Sequence, residues 1–520
     1  MVSLRGNRIR LTILLERSLG PTTLWAALPP RSMPTVFPKS HLGPDRVNGF
    51  YETPLRTVAY MCRPVLAAYR PGRRVLDPSA GDGVFLHYLL GQGVRAEDLH
   101  GFDIDAAKVA ALQKTFPHVT VFDATDPFPA SYHFIVGNPP YNGDDSHWVR
   151  DHRARLQRVA EEIGAKNTYS IITYQAIRAL VPGGQLSLIL ADSFLTNIYY
   201  RPFREFLLRE LDLNELLLAP RKLFHQSAAD VRTCILTATK RVAAGGKPGT
   251  QRVRLVNRVQ SEEDYAQPAS VELIPQEKFR QYPDAAILIG LPAQIRELYL
   301  KAPRRLGDIA KGGTGISTGN DKRFLRPAAD VQGDPAWVPY YKNGARQPYW
   351  YSPDYYIGKD FAASAAASET YLVRNKGYFF KPGITCSSVG VRFSAAYLPP
   401  GALFGVNANF FFDDTETLYY ALGLLNSRLA WYFARMVLVR SNNISANYLR
   451  KLPYLEPAAP AKKAIARKVR GLVQRLQRDG GPVADAVQQE LNSAFNAIYG
   501  LNTGTIRVID DFCANFYDRL

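Results

Sequence analysis

Between residues 74 and 239 the chain alternates short apolar runs with segments whose apolar residues recur at helical spacing. Arg73-Arg74-Val75-Leu76-Asp77 reads as a buried strand, and 83–90 as the helix after it. Leu99-His100-Gly101-Phe102-Asp103 reads as a second strand and 106–114 as a second helix. Strands three and four are predicted at Val119-Thr120-Val121-Phe122 and His133-Phe134-Ile135-Val136. A helix over 167–180 should stop at Val181-Pro182-Gly183-Gly184, because proline and paired glycines end helices and open turns. Strand five is predicted over 185–191, a helix over 202–210, and further strands over 214–219 and 231–237. Continuous apolar strands alternating with helices imply a parallel sheet covered on both faces.

The pattern breaks at Lys240-Arg241-Val242-Ala243-Ala244-Gly245-Gly246-Lys247-Pro248-Gly249, a basic, glycine-rich stretch that reads as a linker. Beyond about Pro303 aromatic residues crowd together, as in Trp337-Val338-Pro339-Tyr340-Tyr341 and Tyr349-Trp350-Tyr351, and short strand-like runs alternate with Gly and Pro. This predicts a second, mixed domain, its aromatics serving either as half-buried strand residues or as recognition surface. Helices are predicted over 418–437, 461–476 and 483–499; the second of these is basic and amphipathic. No internal repeat is present.

A length of 520 residues suggests two to four domains at about 150 residues each. The hydrophobic fraction of 46% is ordinary, but the net charge of +18 is not. That excess suits a polyanionic partner, nucleic acid or an anionic membrane face, and charge alone leaves a basic but unrelated soluble enzyme equally open. Cys62, Cys234, Cys386 and Cys513 are far apart and form no CxxC pair, which argues against a zinc site or a disulfide framework and fits a reducing cytosol. No apolar run approaches about 18 residues, so no membrane span is expected. Residues 1–44, with one acid among several Arg and Pro, read as a flexible basic tail or as an extension upstream of a start at Met33.

Three segments carry candidate chemistry. Val75-Leu76-Asp77-Pro78-Ser79-Ala80-Gly81-Asp82-Gly83 ends a strand and opens a helix. Its glycines permit a tight turn and close approach to a ligand, and helix N-terminal amides attract anions. Asp103, ending strand two, can accept from both hydroxyls of a ribose, and Ile104 offers an apolar face for a purine. Asp123, after strand three, can accept from an adenine amine. Third, Asn138-Pro139-Pro140-Tyr141 follows strand four, where an open α/β sheet places its reactive groups. An exocyclic ring amine is a poor nucleophile because its lone pair is delocalised. The Asn138 side-chain oxygen and the Pro139 carbonyl, held rigidly, can accept its two protons and free that pair. Such chemistry works by positioning and fixed electrostatics and needs no metal. Tyr141 offers a flat face to the target ring.

In these residues the chain resembles the γ-class N6-adenine DNA methyltransferases of restriction–modification and phage-exclusion systems. Gly49-Phe50-Tyr51-Glu52-Thr53-Pro54 is similar to the family's upstream cofactor segment, and Leu223-Phe224-His225-Gln226 to a later segment whose aromatic residue packs on the flipped base. More loosely, the stretches 312–321, 381–386 and 447–453 resemble parts of a target-recognition domain. The resemblance implies an α/β fold: a Rossmann-like class I S-adenosylmethionine-dependent methyltransferase sheet with a C-terminal mixed α/β target-recognition domain. The first 45 residues match nothing in that family and are expected to be a basic flexible tail; a catalytic domain over 46–242, a connecting segment over 243–302, recognition over 303–460 and a helical segment over 461–520 are expected after them. Asn138, Pro139 and Tyr141 would be catalytic. Thr53, Asp77, Pro78, Ser79, Ala80, Gly81 and Gly83 would hold the methionine end of S-adenosylmethionine, Asp103 its ribose, Ile104 and Asp123 its adenine. Phe224 would face Tyr141 across a flipped base.

The implied partner is double-stranded DNA, with a cognate restriction endonuclease or other defence proteins alongside; the enzyme is expected to be cytoplasmic, nucleoid-associated and monomeric on DNA. Two other readings stay open. The same Asn-Pro-Pro-Tyr chemistry suits an rRNA base or a protein glutamine amide. A non-catalytic DNA-specificity subunit on this fold is the other, against which the intact Asn138, Tyr141, Gly81, Gly83 and Asp103 speak.

Overall fold

The computed structural model describes residues 52–515 except 143–145, 165–166, 222, 225–231, 243–250, 332, 354, 367, 388–391 and 441–443. The expected basic tail, residues 49–51 of the upstream segment, His225, Gln226 and most of the glycine-rich stretch lie outside the described residues.

The first half builds one nine-stranded sheet from β1 (Val75–Asp77), β2 (Leu99–Asp103), β3 (His118–Val121), β4 (Tyr132–Gly137), β5 (Leu180–Ala191), β6 (Leu211–Leu218), β7 (Thr233–Lys240), β8 (Arg252–Val256) and β9 (Val271–Pro275). The strand order is β3-β2-β1-β4-β5-β7-β6-β8-β9, with β7 antiparallel to both neighbours and β9 antiparallel to β8. Around the sheet lie α1 (Leu55–Ala68), α2 (Val84–Gly91), α3 (Ala106–Leu112), α4 (His147–Asp151), α5 (Arg153–Val159), α6 (Thr168–Ala179) and α7 (Arg201–Glu210). The order reverses between β1 and β4, so a crevice opens beyond their carboxyl ends, where doubly wound sheets bind ligands.

Alternation along the central strands divides the core in two. Val75, Val136, Ile189, Leu217 and Ile235 face one side with Leu86 and Leu89 of α2. Their neighbours Leu76, Ile135, Leu188, Leu216 and Leu236 face the other, with Ile171 and Ile177 of α6. Both faces are covered, which is why these strands read as unbroken apolar runs.

Three expectations are corrected. The turn at 181–184 does not separate α6 from β5. Leu180 pairs with Tyr132 and Gln185 with Phe134, so the extra residues bulge out of one continuous strand, with Gly183 at φ 77°. β6 starts earlier than 214, since Leu211 already pairs with Lys240. Residues 252–275 of the segment expected to connect the domains add β8 and β9 to the sheet; β8 pairs with both β6 and β9, β9 forms the edge, and part-exposed polar positions in both interrupt the apolar pattern.

In the second half, Leu325–Pro327, Tyr355–Gly358, Trp337–Tyr341 and Leu403–Phe404 form a four-stranded sheet, and Ala395–Leu398, Gly383–Cys386 and Ala408–Phe410 a three-stranded one. Tyr340, Tyr341 and Tyr351 lie buried in a separate aromatic core. The helix expected over 418–437 is broken: Thr415–Leu425 ends, Ser427 caps Arg428–Tyr432, and Phe433–Leu438 is π-helical. Ala459–Asp479 packs on Thr415–Leu425, and Asp485–Ile498 and Thr503–Ala514 complete this bundle, so no gap in packing falls at 460. Asp192, just after β5, ties the halves together: its carboxylate bonds the buried Arg258 at 2.6 Å and Arg440 at 3.5 Å.

Candidate active site

The loop after β1 is shaped from beneath by two carboxylates. Asp77 is 1% exposed and accepts the Ser79 amide at 3.1 Å, while its second oxygen has no partner among the described residues. Burial, reinforced by the charge of Asp103, pushes this carboxyl up to about 7 against the pull of the Ser79 amide. Asp103 accepts from the Gly81 amide at 2.8 Å through one oxygen and from the Asp105 amide at 2.8 Å through the other. Gly83, at φ 78°, caps α2, and a Cβ there would sit 2.5 Å from Leu112 Cδ2. Asp105 caps α3 by accepting from the Ala107 and Lys108 amides.

Gly137, the last residue of β4, is fixed by contact, since a Cβ there would lie 2.5 Å from Asp77 Oδ1. Asn138, half-buried, follows it. The Asn138 side-chain amide donates to Thr53 Oγ1 at 3.1 Å, and the Tyr141 hydroxyl donates to Asn138 Oδ1 at 2.6 Å, with Ile189 O 3.1 Å away as its other acceptor. The turn is pinned to the start of α6. The Thr168 hydroxyl bonds the Pro140 carbonyl and accepts from the Asn142 amide at 3.0 Å, and the Thr168 amide donates to the Asn142 carbonyl at 3.0 Å. Pro139 is buried within this turn.

A cleft of about 850 Å³, counting its open mouth, joins these loops. It brings together Pro78, Ser79, Asp103, Ile104, Asp123 and Asn138 of the sequence-derived set. Ile104 is apolar yet 56% exposed at its rim. Thr53, Asp77, Ala80, Gly81, Gly83, Pro139, Tyr141 and Phe224 are not among its lining residues. Asp123 Oδ1 accepts from the Thr125 amide and hydroxyl, and Oδ2 from Arg155 at 2.7 Å. A carboxylate offers about four acceptor sites, so one remains. Three acids, Asp103, Asp105 and Asp123, line the cleft with one base, Lys108, and Arg155 pairs with Asp123 beside it, which leaves a small acidic surplus. An acidic hollow in a chain of net charge +18 selects a cationic ligand.

Tyr141 and Phe224 do face each other, with ring centroids 6.4 Å apart and planes tilted by 49°. A base stacked on both needs parallel rings about 7 Å apart, two layers of roughly 3.5 Å, so the pair must part to admit one. Phe224, 8% exposed, meanwhile packs in the core. Sequence reasoning missed Thr168, Asn142, Trp148 and Arg155, which line or brace the site. Their spacing carries no motif.

Residues 96–224 match the family model described as Eco57I restriction-modification methylase. The chain is 28% identical over 188 residues to the adenine-specific methyltransferase PglX of Lacticaseibacillus casei (strain Zhang), covering 31% of this chain and 16% of that protein. It is 33% identical over 130 residues to the ribosomal RNA small subunit methyltransferase C of Chromohalobacter salexigens, covering 24% and 33%. The matched region thus spans about a sixth of the first relative and a third of the second. The type IIL restriction-modification enzyme MmeI, solved in complex with DNA, shares the fold with a TM-score of 0.56 at 12% identity over 89% of this chain and 76% of that one. Among the described residues no helix is long and apolar enough to cross a membrane.

Proposed function

We propose that this chain is a site-specific DNA methyltransferase that modifies the N6 amine of a flipped adenine in duplex DNA, within a restriction–modification or phage-exclusion system. The observation that carries the reading is the Asn138 amide at the carboxyl end of β4. Thr53 binds its nitrogen, so its oxygen is presented as an acceptor beside an acidic cleft. The matching family model and the name of PglX support the same reaction class.

S-adenosylmethionine fits that cleft. Bound, it supplies a methyl group on a positively charged sulfur, which an amine can attack in line without a covalent enzyme nucleophile. The acid surplus suits its sulfonium and ammonium charges, Asp103 its ribose diol, Ile104 a face of its adenine, and the open acceptor site on Asp123 the adenine amine. The loop from Pro78 to Gly83 takes the methionine end.

Asn138 Oδ1 and the Pro139 carbonyl accept the two N–H groups of the target amine, drawing its nitrogen towards tetrahedral geometry. Tyr141 holds the first of these acceptors until a target arrives. Its hydroxyl then turns to Ile189 O, only 3.1 Å away, and frees Asn138. A paired adenine cannot reach this site, so it is extruded at a cost of a few kcal/mol. Stacking on Tyr141 and Phe224 returns about 1–3 kcal/mol per base. The chain works as a monomer on the nucleoid.

The likeness to an rRNA methyltransferase favours a second reading, in which the acceptor pair serves an rRNA base. Modification-sensitive long-read sequencing of DNA from cells expressing the chain separates the two. N6-methyladenine at one recurrent sequence supports the first; unmodified DNA with newly methylated rRNA supports the second.

A further inference from the structure

The helix Ala459–Asp479 carries seven Lys and Arg against one acid. Its apolar face, including Ile465, Val469, Leu472 and Leu476, is buried against the bundle. Three of its cations pair locally: Lys462 with Glu456, Lys468 with Glu490, and Arg478 with Asp479. Lys463, Arg467 and Arg470 are exposed and make no ion pair among the described residues. Spaced by four and three, they share one face, and a rise of 1.5 Å per residue spreads them over about 10 Å.

Gly471 continues that face. A Cβ there would meet nothing within 4 Å, so packing does not demand glycine, which is a poor helix former. A bare backbone beside the exposed cations suits close approach by a partner. No large apolar side chain stands on this face, which excludes insertion into a lipid surface.

We infer that this stripe is a contact to the DNA phosphate backbone, separate from the cleft. The inference rests on the DNA reading above. Phosphate contacts fix register and orientation but carry no sequence information. The stripe therefore sets affinity and leaves the methylated sequence unchanged.

The test compares the triple variant Lys463→Gln/Arg467→Gln/Arg470→Gln with an equally charged control, Arg70→Gln/Arg73→Gln/Lys114→Gln, in the full chain. Binding to a long mixed-sequence duplex is titrated from about 50 to 200 mM salt. Each lost phosphate contact reduces the log–log salt slope by about 0.9, so three lost contacts shrink the wild-type advantage about 40-fold across that range. The expected result is that loss in the stripe variant alone, with an unchanged modified sequence. A stripe variant whose slope and affinity equal those of the control overturns the inference while the methyltransferase reading stands. A wild type that binds no DNA overturns both.

Discussion

Thr53→Val tests how the amide of Asn138 is aimed. Val keeps the shape of Thr but deletes the oxygen that Asn138 Nδ2 bonds at 3.1 Å, at a position 3% exposed. Removing the acceptor of a part-buried hydrogen bond costs about 1–3 kcal/mol at most. Turning the amide over recovers little, because the nitrogen would then face the amine it must accept from, two donors opposed. If that cost falls on the productive orientation, the methyl-transfer step slows by roughly 5–150-fold. Thr53→Ser keeps the hydroxyl and should stay within about threefold of wild type. Single-turnover quenched-flow transfer at saturating S-adenosylmethionine and DNA reads the step, and calorimetry reads donor affinity. An unchanged rate in Thr53→Val refutes the positioning argument. A rate preserved while donor affinity collapses gives Thr53 the cofactor role that the resemblance implies.

Other perturbations separate the remaining parts. Asp77 is raised from the usual carboxylate range to about 7 in the folded chain. It binds its proton more tightly folded than unfolded, so its contribution is complete at low pH and is lost as pH climbs from about 4 through 7, by at most about 1.4 kcal/mol per pH unit. Asp77→Asn should flatten that part of the pH–stability curve, measured by urea titration; an unaltered slope contradicts the burial argument. Tyr141→Ala should raise the KM for DNA by about 5–150-fold through lost stacking, whereas Tyr141→Phe should keep KM near wild type; equal defects in both would assign the role to the hydroxyl. Asp192→Ala strands two buried guanidinium groups and should cost about 3–5 kcal/mol in chemical denaturation; a loss below 1 kcal/mol would show that the Arg258–Asp192–Arg440 node is not buried as described.

What was legible in the sequence follows from how local its cause is. The central strands announced themselves because both their faces are covered. Asn138 was readable because the proline turn and the preceding strand lie in one short segment. β8 and β9 were hidden by their part-exposed polar positions, and the 181–184 bulge by proline and glycine residues that ordinarily end an element. The break near Ser427 was overlooked because the apolar spacing runs through it. The contacts among these residues were unreadable for another reason, although Thr53 itself was expected at the site: Thr53 lies 85 residues from Asn138, Arg155 lies 32 from Asp123, and Arg440 lies 248 from Asp192. Such contacts are products of the assembled fold.

The most direct measurement pairs donor binding with transfer in Asn138→Ala. Wild-type chain, S-adenosylmethionine labelled in its methyl group and genomic DNA should yield N6-methyladenine on nucleoside digestion. The variant should bind the donor with wild-type affinity but transfer about 10²–10³-fold more slowly. Full-rate transfer by Asn138→Ala, or a label recovered on any group other than a ring amine, would contradict the account.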